Sequence, residues 1–329
     1  MRDTKMDNIK GFLIFCVVLG HMLELTDIGG GIYRILYSFH MPVFIFLSGY
    51  FARFHGKKII MTLIYPYFLF QTLYLLFDTF ILKKDMSALK LQFTTPYWLL
   101  WYLMAMIFYY LLLPFIESIR HKHILLAVVC ILSLAAGYDQ TIGYYLTLSR
   151  FITFFPYFLL GVMLRQTDME RLFKNIGFRL VNIAVIEIMC GILFATNLIR
   201  EPALYGSYSY AAANYSVIVR ILLLFTGVNW IFFFLCRFPR KRIPLLSTIG
   251  KNSMTVFLMH GFFKKYMQTK KNLFVYDGYG NWVLVVLISL AIVIILGNQY
   301  AGKGFRFVFL GGWADALSRK IKETKGSKG

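Results

Sequence analysis

Long apolar runs alternate with short polar loops along almost the whole chain. Ten runs are long enough to cross about 30 Å of hydrocarbon. They lie near residues 9–26, 34–54, 59–82, 97–116, 124–138, 149–165, 179–198, 214–235, 247–264 and 282–300. The fifth run is short, and the ninth opens with the polar stretch 251–253. The pattern predicts an all-α, polytopic membrane protein with about ten transmembrane helices.

The composition agrees with a membrane protein. Of the 329 residues, 59% are hydrophobic and only 15% are charged, and the mean hydropathy is +0.64. A soluble domain of this length is far less apolar. The loops are too short to hold a separate soluble domain. We therefore predict one transmembrane domain over residues 1–301. A basic tail over residues 302–329 either forms an interfacial helix on an anionic leaflet or is solvated in the cytoplasm.

The distribution of Lys and Arg predicts the orientation in the membrane. With both termini in the cytoplasm, 24 of the 35 basic residues fall on the cytoplasmic side, as the positive-inside rule expects. Lys264, Lys265, Lys270 and Lys271 are exceptions, because this topology puts them outside. The net charge of +20 is spread over short loops and not gathered on one soluble face. Membrane lipids are therefore expected partners, and nucleic acid is not.

The first apolar run contains a cation and an imidazole. Lys10 and His21 are eleven residues apart, so they lie on nearly the same helix face, about 16 Å apart along the axis. Burying a histidine at this depth in the membrane costs free energy, so such a residue usually has a bonded partner or a function. Glu24 follows at i+3, where it either orients the imidazole or is simply solvated. A neutral imidazole oriented by a carboxylate suits general-base chemistry, which makes His21 and Glu24 candidate catalytic residues.

Other polar side chains are harder to explain by contact with lipid. His40 precedes Pro42 in the second run, which indicates either a kinked packing helix or a cavity wall. Further charged residues in the membrane or near the outer ends of the runs are Arg34, Arg150, Glu187, Glu201 and Arg220. Each arginine alone is explained by snorkelling to the headgroups. Together with His21, they favour a buried network for an anionic or polyhydroxyl ligand.

A second group of cations lies at the cytoplasmic ends of the runs. It comprises Lys10, Arg53, Lys57, Lys58 and Arg165. The positive-inside bias explains most such residues, although a ligand with several phosphates would also find its counter-charges here. The four cysteines are far apart and form no ligand set with histidine, so no metal is expected.

Five stretches carry a family resemblance. Residues 7–21 place a basic residue and a ten-residue gap before a histidine, and the other four read FHMPVFIFLSGYF (39–51), WLLWYL (98–103), RFITFFPYFLLG (150–161) and GKNSMTVFLMH (250–260). Together and in this order they resemble the acyltransferase-3 family of integral membrane acyltransferases, in particular its fucose 4-O-acetylase-like branch. Lys10 stands where many members have arginine, which keeps the charge but loses bidentate contacts.

The resemblance implies an O-acetyltransferase in the bacterial plasma membrane, with residues 1–301 as its acyltransferase domain. Acetyl-CoA would enter from the cytoplasm, His21 would lie at the reaction centre, and a sugar or cell-surface glycan such as an exopolysaccharide would accept the acetyl group outside. The residues then expected to bind acetyl-CoA are Lys10, Ser48, Arg53, Lys57 and Arg165. Those expected to bind the acceptor are Arg34, His40, Trp101, Arg150, Glu201, Arg220 and His260.

Several alternatives remain at this point. Direct transfer is the simpler chemistry, but histidine can also act as a nucleophile and form an acetyl-enzyme. The sequence does not rank Ser48, Arg150 and the Trp101 NH as donors to an oxyanion. A transporter or flippase for a sugar or lipid-linked glycan would also use intramembrane charges, and a scaffold without catalysis is a third class. Hydrolysis of acetyl-CoA in the presence of glycans would discriminate these classes.

Overall fold

The computed structural model describes residues 3–26, 28, 30–83, 92–165, 167, 173–196, 198–270, 279–310 and 312. Within these ranges the fold is all-α. The helices are α1 (Thr4–Leu23), α2 (Gly30–Tyr50), α3 (Gly56–Ile81), α4 (Trp101–Ser118), α5 (Lys122–Ala135), α6 (Leu148–Leu164), α7 (Ile176–Ala195), α8 (Val217–Arg237), α9 (Pro244–Lys251), α10 (Ser253–Gln268), α11 (Tyr279–Gly297) and α12 (Gln299–Phe309). One-turn helices at Tyr145–Thr147, Glu201–Leu204 and Tyr210–Ala213 complete them.

Eight helices in the described ranges are long and apolar enough to cross a membrane, when the turn Tyr145–Thr147 is counted with α6. The prediction of an all-α, polytopic membrane protein is therefore confirmed. Each of the ten predicted runs contains a helix, but two of them differ from a simple span. Helix α5 has 14 residues, which is about 21 Å, and the ninth run is divided between α9 and α10. Ten crossings with both termini in the cytoplasm remain a prediction.

The division of the ninth run occurs at Asn252. Its backbone leaves the helical region (φ −107°, ψ 18°), and its side-chain amide donates to the carbonyls of Gly297 and Asn298 at 2.9 and 3.1 Å. Its side-chain oxygen accepts a hydrogen bond from Arg306 at 2.9 Å. Asparagine competes with helix hydrogen bonds through such contacts. The break is thus stabilised by residues some fifty positions away, which local periodicity does not reveal.

Helix α1 lies at the centre of the bundle and packs against α2, α9, α10 and α11. Close glycine contacts occur both between α1 and α9 and between α2 and α6. A Cβ atom on Gly11 would lie 2.1 Å from the carbonyl oxygen of Leu246 on α9, and one on Gly49 would lie 2.0 Å from the carbonyl oxygen of Phe158 on α6. Small residues allow helix backbones to approach closely where lipid supplies no hydrophobic driving force.

The predicted tail begins as part of the bundle. Residue 302 falls inside α12, whose Phe305 is buried and lies 5.9 Å from the ring of Phe70 on α3. The predicted boundary at 302 therefore divides a helix that packs against the rest of the domain, because Phe305 and Arg306 both contact other helices. The rest of the tail, residues 313–329, lies outside the described residues.

Hydrogen bonds between helix ends and loops define two faces of the molecule. On the N-terminal face, where α1 begins, Asn8 donates to the carbonyl of Lys241 at 2.9 Å, and Arg165 donates to the carbonyl of Ala52 at 2.6 Å. On the opposite face, where α1 ends, Arg150 donates to the carbonyl of Tyr205 at 3.1 Å. The helices therefore expose alternate loops on the two faces.

Candidate active site

Two cavities of about 280 Å³ each lie along α1. We name them after the substrates that the family resemblance implies. The cavity nearer the N-terminal face, called the donor-side cavity, is lined by Lys10, Ser48 and Lys251 together with apolar and tyrosine side chains. The cavity nearer the opposite face, called the acceptor-side cavity, is lined by His21, Glu24, His40, Trp98, Trp101, Arg150 and several tyrosines. Val17, Met41 and Phe257 line both cavities. These three side chains therefore form the partition between them.

His21 is held by a hydrogen-bonded carboxylate. Its Nδ1 lies 3.0 Å from Oε1 of Glu24, and the Tyr37 hydroxyl lies 3.0 Å from the same Nδ1 and 2.5 Å from the same carboxylate oxygen. We assign the ring proton to Nδ1, so that the Nδ1–H group donates a hydrogen bond to the carboxylate. Nε2 then carries the lone pair, on a ring that lines the acceptor-side cavity. A carboxylate that orients a neutral imidazole suits general-base chemistry.

Glu24 is tied to four side chains. Besides His21 and Tyr37, it accepts a hydrogen bond from the Tyr33 hydroxyl at 3.2 Å and pairs through Oε2 with Lys264 Nζ at 3.1 Å. The ammonium group of Lys264 and the hydrogen bonds from His21, Tyr33 and Tyr37 favour the charged form of the Glu24 side chain. Glu24 is therefore a carboxylate at neutral pH.

Aromatic rings surround the imidazole. Trp98 meets His21 edge to face with ring centroids 4.4 Å apart, and His260 stacks on it at 5.5 Å. His40 lines the same cavity and donates from Nδ1 to the Leu36 carbonyl at 2.6 Å. His260 is fully buried and does not line the cavity. Its Nδ1 lies 2.9 Å from the Val256 carbonyl.

Arg150 forms the cationic part of the wall. Its guanidinium lies 4.9 Å from the Trp101 ring and 5.5 Å from the Tyr144 ring. It donates to the Tyr205 carbonyl at 3.1 Å and to the Ser207 hydroxyl at 3.4 Å. Within the described ranges no carboxylate pairs with it. The cavity therefore offers a cation whose protein partners are neutral.

The family model described as "Acyltransferase domain" matches residues 3–297, which is most of the chain and includes both cavities. The chain belongs to this acyltransferase family.

One similar protein is the nodulation protein NolL of Sinorhizobium fredii, which is 41% identical over 58 residues. The match covers 16% of this acyltransferase and 16% of NolL, so the chain spans only a small part of its relative's length. No solved structure matches the chain.

Several residues predicted from the sequence lie apart from the cavities of the acyltransferase. Arg34 pairs with Glu201 at 3.1 Å and donates to the Leu193 carbonyl. Arg220 is buried and bonded to the Ser133 carbonyl, the Tyr208 carbonyl and the Tyr215 hydroxyl. These bonds tie loops to helices. Neither Arg34 nor Arg220 lines the two cavities along α1.

The predicted polar network is also smaller than expected. Glu187 is exposed on the outer surface of α7, because its side chain faces away from the bundle. It therefore does not join His21 in a buried network.

Of the five residues expected to bind acetyl-CoA, Lys10 and Ser48 line the donor-side cavity. Lys10 Nζ lies 4.3 Å from the Phe51 ring. Arg53 and Lys57 are exposed and do not line the cavity, and Arg165 pairs with Glu117 at 2.7 Å. Within the described residues, no group of His, Cys, Asp and Glu side chains is arranged to hold a metal ion.

The sequence interpretation missed Tyr37, Trp98 and Lys251, which line these cavities, and Lys264, which pairs with Glu24. Lys264 had left a signal, because it opposed the predicted topology, and its ion pair with Glu24 now accounts for a lysine at that end of α10. Lys251 and Trp98 lay inside stretches that carried the family resemblance. Tyr37 lies three residues before His40, which the sequence did single out, but its contact with Glu24 depends on how α1 and α2 pack.

Proposed function

We propose that this acyltransferase moves an acetyl group from acetyl-CoA, bound at the N-terminal face, to a hydroxyl of a sugar or surface glycan at the opposite face. The N-terminal face is cytoplasmic in the predicted topology, and the membrane is the bacterial plasma membrane. One observation carries the proposal. Helix α1 contributes Lys10 to one cavity and His21 to the other, and only Val17, Met41 and Phe257 line both. Family membership favours acyl transfer over transport.

The polar and apolar parts of the donor-side cavity suit different parts of CoA. Lys10 and Lys251 supply positive charge for phosphates, whereas Ile14, Leu47 and Leu63 offer apolar contacts to a pantetheine arm. Lys10 and His21 are about 16 Å apart along α1, a distance comparable with that arm. Rotation of Met41, a flexible side chain, would open the partition. The thioester would then reach His21 while the CoA phosphates stay at the surface.

The reaction balances with one base. Nε2 of His21 takes the proton of the acceptor hydroxyl as its oxygen attacks the thioester carbonyl, which forms a C–O bond and a tetrahedral oxyanion. The oxyanion collapses, the C–S bond breaks, and the departing thiolate receives the proton from His21. Glu24 stabilises the imidazolium between the two proton transfers. Direct transfer needs no covalent acetyl-histidine.

Arg150 is the preferred donor to the oxyanion. It lines the cavity that contains His21, and its present partners are neutral. No carboxylate neutralises the Arg150 guanidinium in the described structure. It would therefore stabilise an oxyanion that forms during the reaction more strongly than a paired cation would. Ser48 lines the other cavity, which fits its expected contact with CoA better than a role at the oxyanion.

The acceptor-side cavity suits a carbohydrate. Trp98, Trp101 and Tyr205 present amphipathic rings to it. Aromatic faces pack against apolar C–H surfaces, and nearby polar groups orient hydroxyls. His40 and Tyr208 add such polar groups. The acceptor is therefore proposed to be a sugar or glycan.

The experiment that tests this function uses His21→Ala and His21→Gln in the purified full-length chain. Release of free CoA thiol from acetyl-CoA is measured with a panel of methyl glycosides, and acetyl-CoA binding is measured separately. Both variants should lose transfer and keep binding, since neither side chain accepts the proton. His121→Ala, an exposed histidine on the N-terminal face, is the matched control and should behave as the parent.

More than a few per cent of parental transfer in His21→Ala would overturn the proposal. An unmodified chain that releases no CoA, with any glycoside or with water as acceptor, would overturn it too. The transporter alternative would then gain weight.

A further inference from the structure

Lys264 is a buried cation that pairs with Glu24, a residue of the acceptor-side cavity. It is 8% exposed, its Nζ lies 3.1 Å from Oε2 of Glu24, and it lies 4.8 Å from the Trp98 ring. The other carboxylate oxygen, Oε1, faces His21 and Tyr37. One carboxylate is thus shared between an ammonium group on α10 and an imidazole on α1.

The groups around this carboxylate are mostly neutral. The titratable and charged groups that face His21 and Glu24 are Tyr33, Tyr37 and His40 on α2, Arg150 on α6, Tyr205 in the loop before α8, and His260 and Lys264 on α10. Arg150 is engaged with the Tyr205 carbonyl and Ser207. Glu24 and Lys264 are therefore the opposite charges in direct contact.

The net charge beside His21 affects whether its imidazole is able to act as a base. A carboxylate in a medium of low dielectric constant favours the protonated form of a neighbouring imidazole. A protonated imidazole cannot accept the proton of an acceptor hydroxyl. An ammonium group on the far carboxylate oxygen cancels that charge while the near oxygen still orients the ring.

We infer that Lys264 is a positioning residue that neutralises Glu24, so that the carboxylate orients the His21 ring without its full negative charge acting on the imidazole. The inference rests on the proposed function, in which His21 is the base. It adds a residue that acts through Glu24 and does not touch either substrate. A lysine that merely fastened α10 to α1 would leave the pH dependence of the reaction unchanged.

The test is the pH profile of kcat/KM for CoA release from acetyl-CoA, with the best methyl glycoside as acceptor. In Lys264→Met the acid side of the profile should move to higher pH by about one to two units. Activity at high pH should stay within a few-fold of the parent, because His21 is then deprotonated again. Lys264→Arg keeps the charge and should keep the parental profile.

A matched control is available one residue away. Lys265 pairs with Asp78 at 3.9 Å and lies over the Tyr97 ring, so Lys265→Met should leave the profile in place. In the double variant Glu24→Gln with Lys264→Met, no carboxylate remains to be neutralised. The acid side of its profile should return toward the parental pH, although the rate stays low throughout.

Two results would overturn the inference: a Lys264→Met profile at the parental pH, or a loss by the same factor at every pH. If Lys264→Met does not fold, Lys264→Gln carries the same expectation, since it keeps a donor to Glu24 without the charge. Transfer that survives His21→Ala would refute the proposed function itself. The two failures are therefore distinguishable.

Discussion

The two cavities along α1 have equal volumes but differ in how their polar side chains are arranged. In the donor-side cavity, Lys10 and Lys251 stand among aliphatic and aromatic side chains. At the acceptor-side cavity, the carboxylate of Glu24 is contacted by His21 and Tyr37, which line the cavity, and by the buried Lys264. Point charges on flexible stems suit binding of phosphates, whereas a connected, buried network fixes one geometry.

This difference predicts that substitutions in one cavity change the affinity for substrate, whereas substitutions at the other change the rate of the reaction. Changes among the cations of the donor side should alter how tightly acetyl-CoA binds, because those contacts are the same before and during the reaction. Changes in the hydrogen-bonded cluster should alter how fast the bound substrates react. Each prediction below tests one side of this division.

The largest effect is expected for Glu24→Gln. The amide keeps the size of the side chain but does not hold His21 as a carboxylate does, and it leaves Lys264 without its counter-charge. We expect kcat to fall by about 10²- to 10⁴-fold, with the KM for acetyl-CoA nearly unchanged. Steady-state release of CoA measures both. A rise in that KM with little change in kcat would place Glu24 in donor binding.

A smaller effect, confined to affinity, is expected for Lys10→Gln and Lys251→Gln. Each removes one positive charge from the donor-side cavity, so the KM for acetyl-CoA should rise by about tenfold, while kcat stays near the parental value. Arg53→Gln is the control, because Arg53 is exposed outside the cavity. An equal rise in the KM of Arg53→Gln would show that general surface charge, and not the cavity, attracts the donor.

The smallest effects come from two glycines of α1. A Cβ on Gly11 would meet the Leu246 backbone at 2.1 Å, whereas one on Gly20 would meet the Tyr37 ring at 3.0 Å. Backbone atoms shift less easily than a side chain, so Gly11→Ala should lower the midpoint of thermal unfolding by several degrees. Gly20→Ala should shift Tyr37 and lower kcat a few-fold.

Gly191→Ala, where the Cβ meets open space, is the control for both glycine variants. It should change neither the midpoint nor kcat. A fall in midpoint for Gly20→Ala as large as that for Gly11→Ala would remove the contrast between the two ends of α1.

The sequence predicted the helices and the His21–Glu24 contact more successfully than the other contacts around them. The apolar runs locate every long helix in the described ranges, and the i+3 spacing anticipates the contact of His21 with Glu24. The break at Asn252 was partly visible as polar residues, but its cause lies in Gly297 and Arg306, far along the chain. Local patterns carry no record of such partners.

Charged residues were the least predictable. Arg34 and Arg220 resembled ligand-binding residues because each is an intramembrane cation, but the structure gives each of them protein partners. Lys264 resembled a topological exception, although it contacts the carboxylate beside His21. Whether a buried charge serves structure or chemistry depends on its partner, which tertiary packing decides.

The central claim is that donor and acceptor reach one base from opposite faces. It is tested by reconstituting the purified chain in vesicles, with orientation established by labelling a cysteine introduced at position 122. Acetyl-CoA is supplied on the N-terminal face and the best methyl glycoside on the opposite face. The account predicts acetylated glycoside on the opposite face, and none when the two substrates exchange sides. Transfer that requires both substrates on the same face would contradict it.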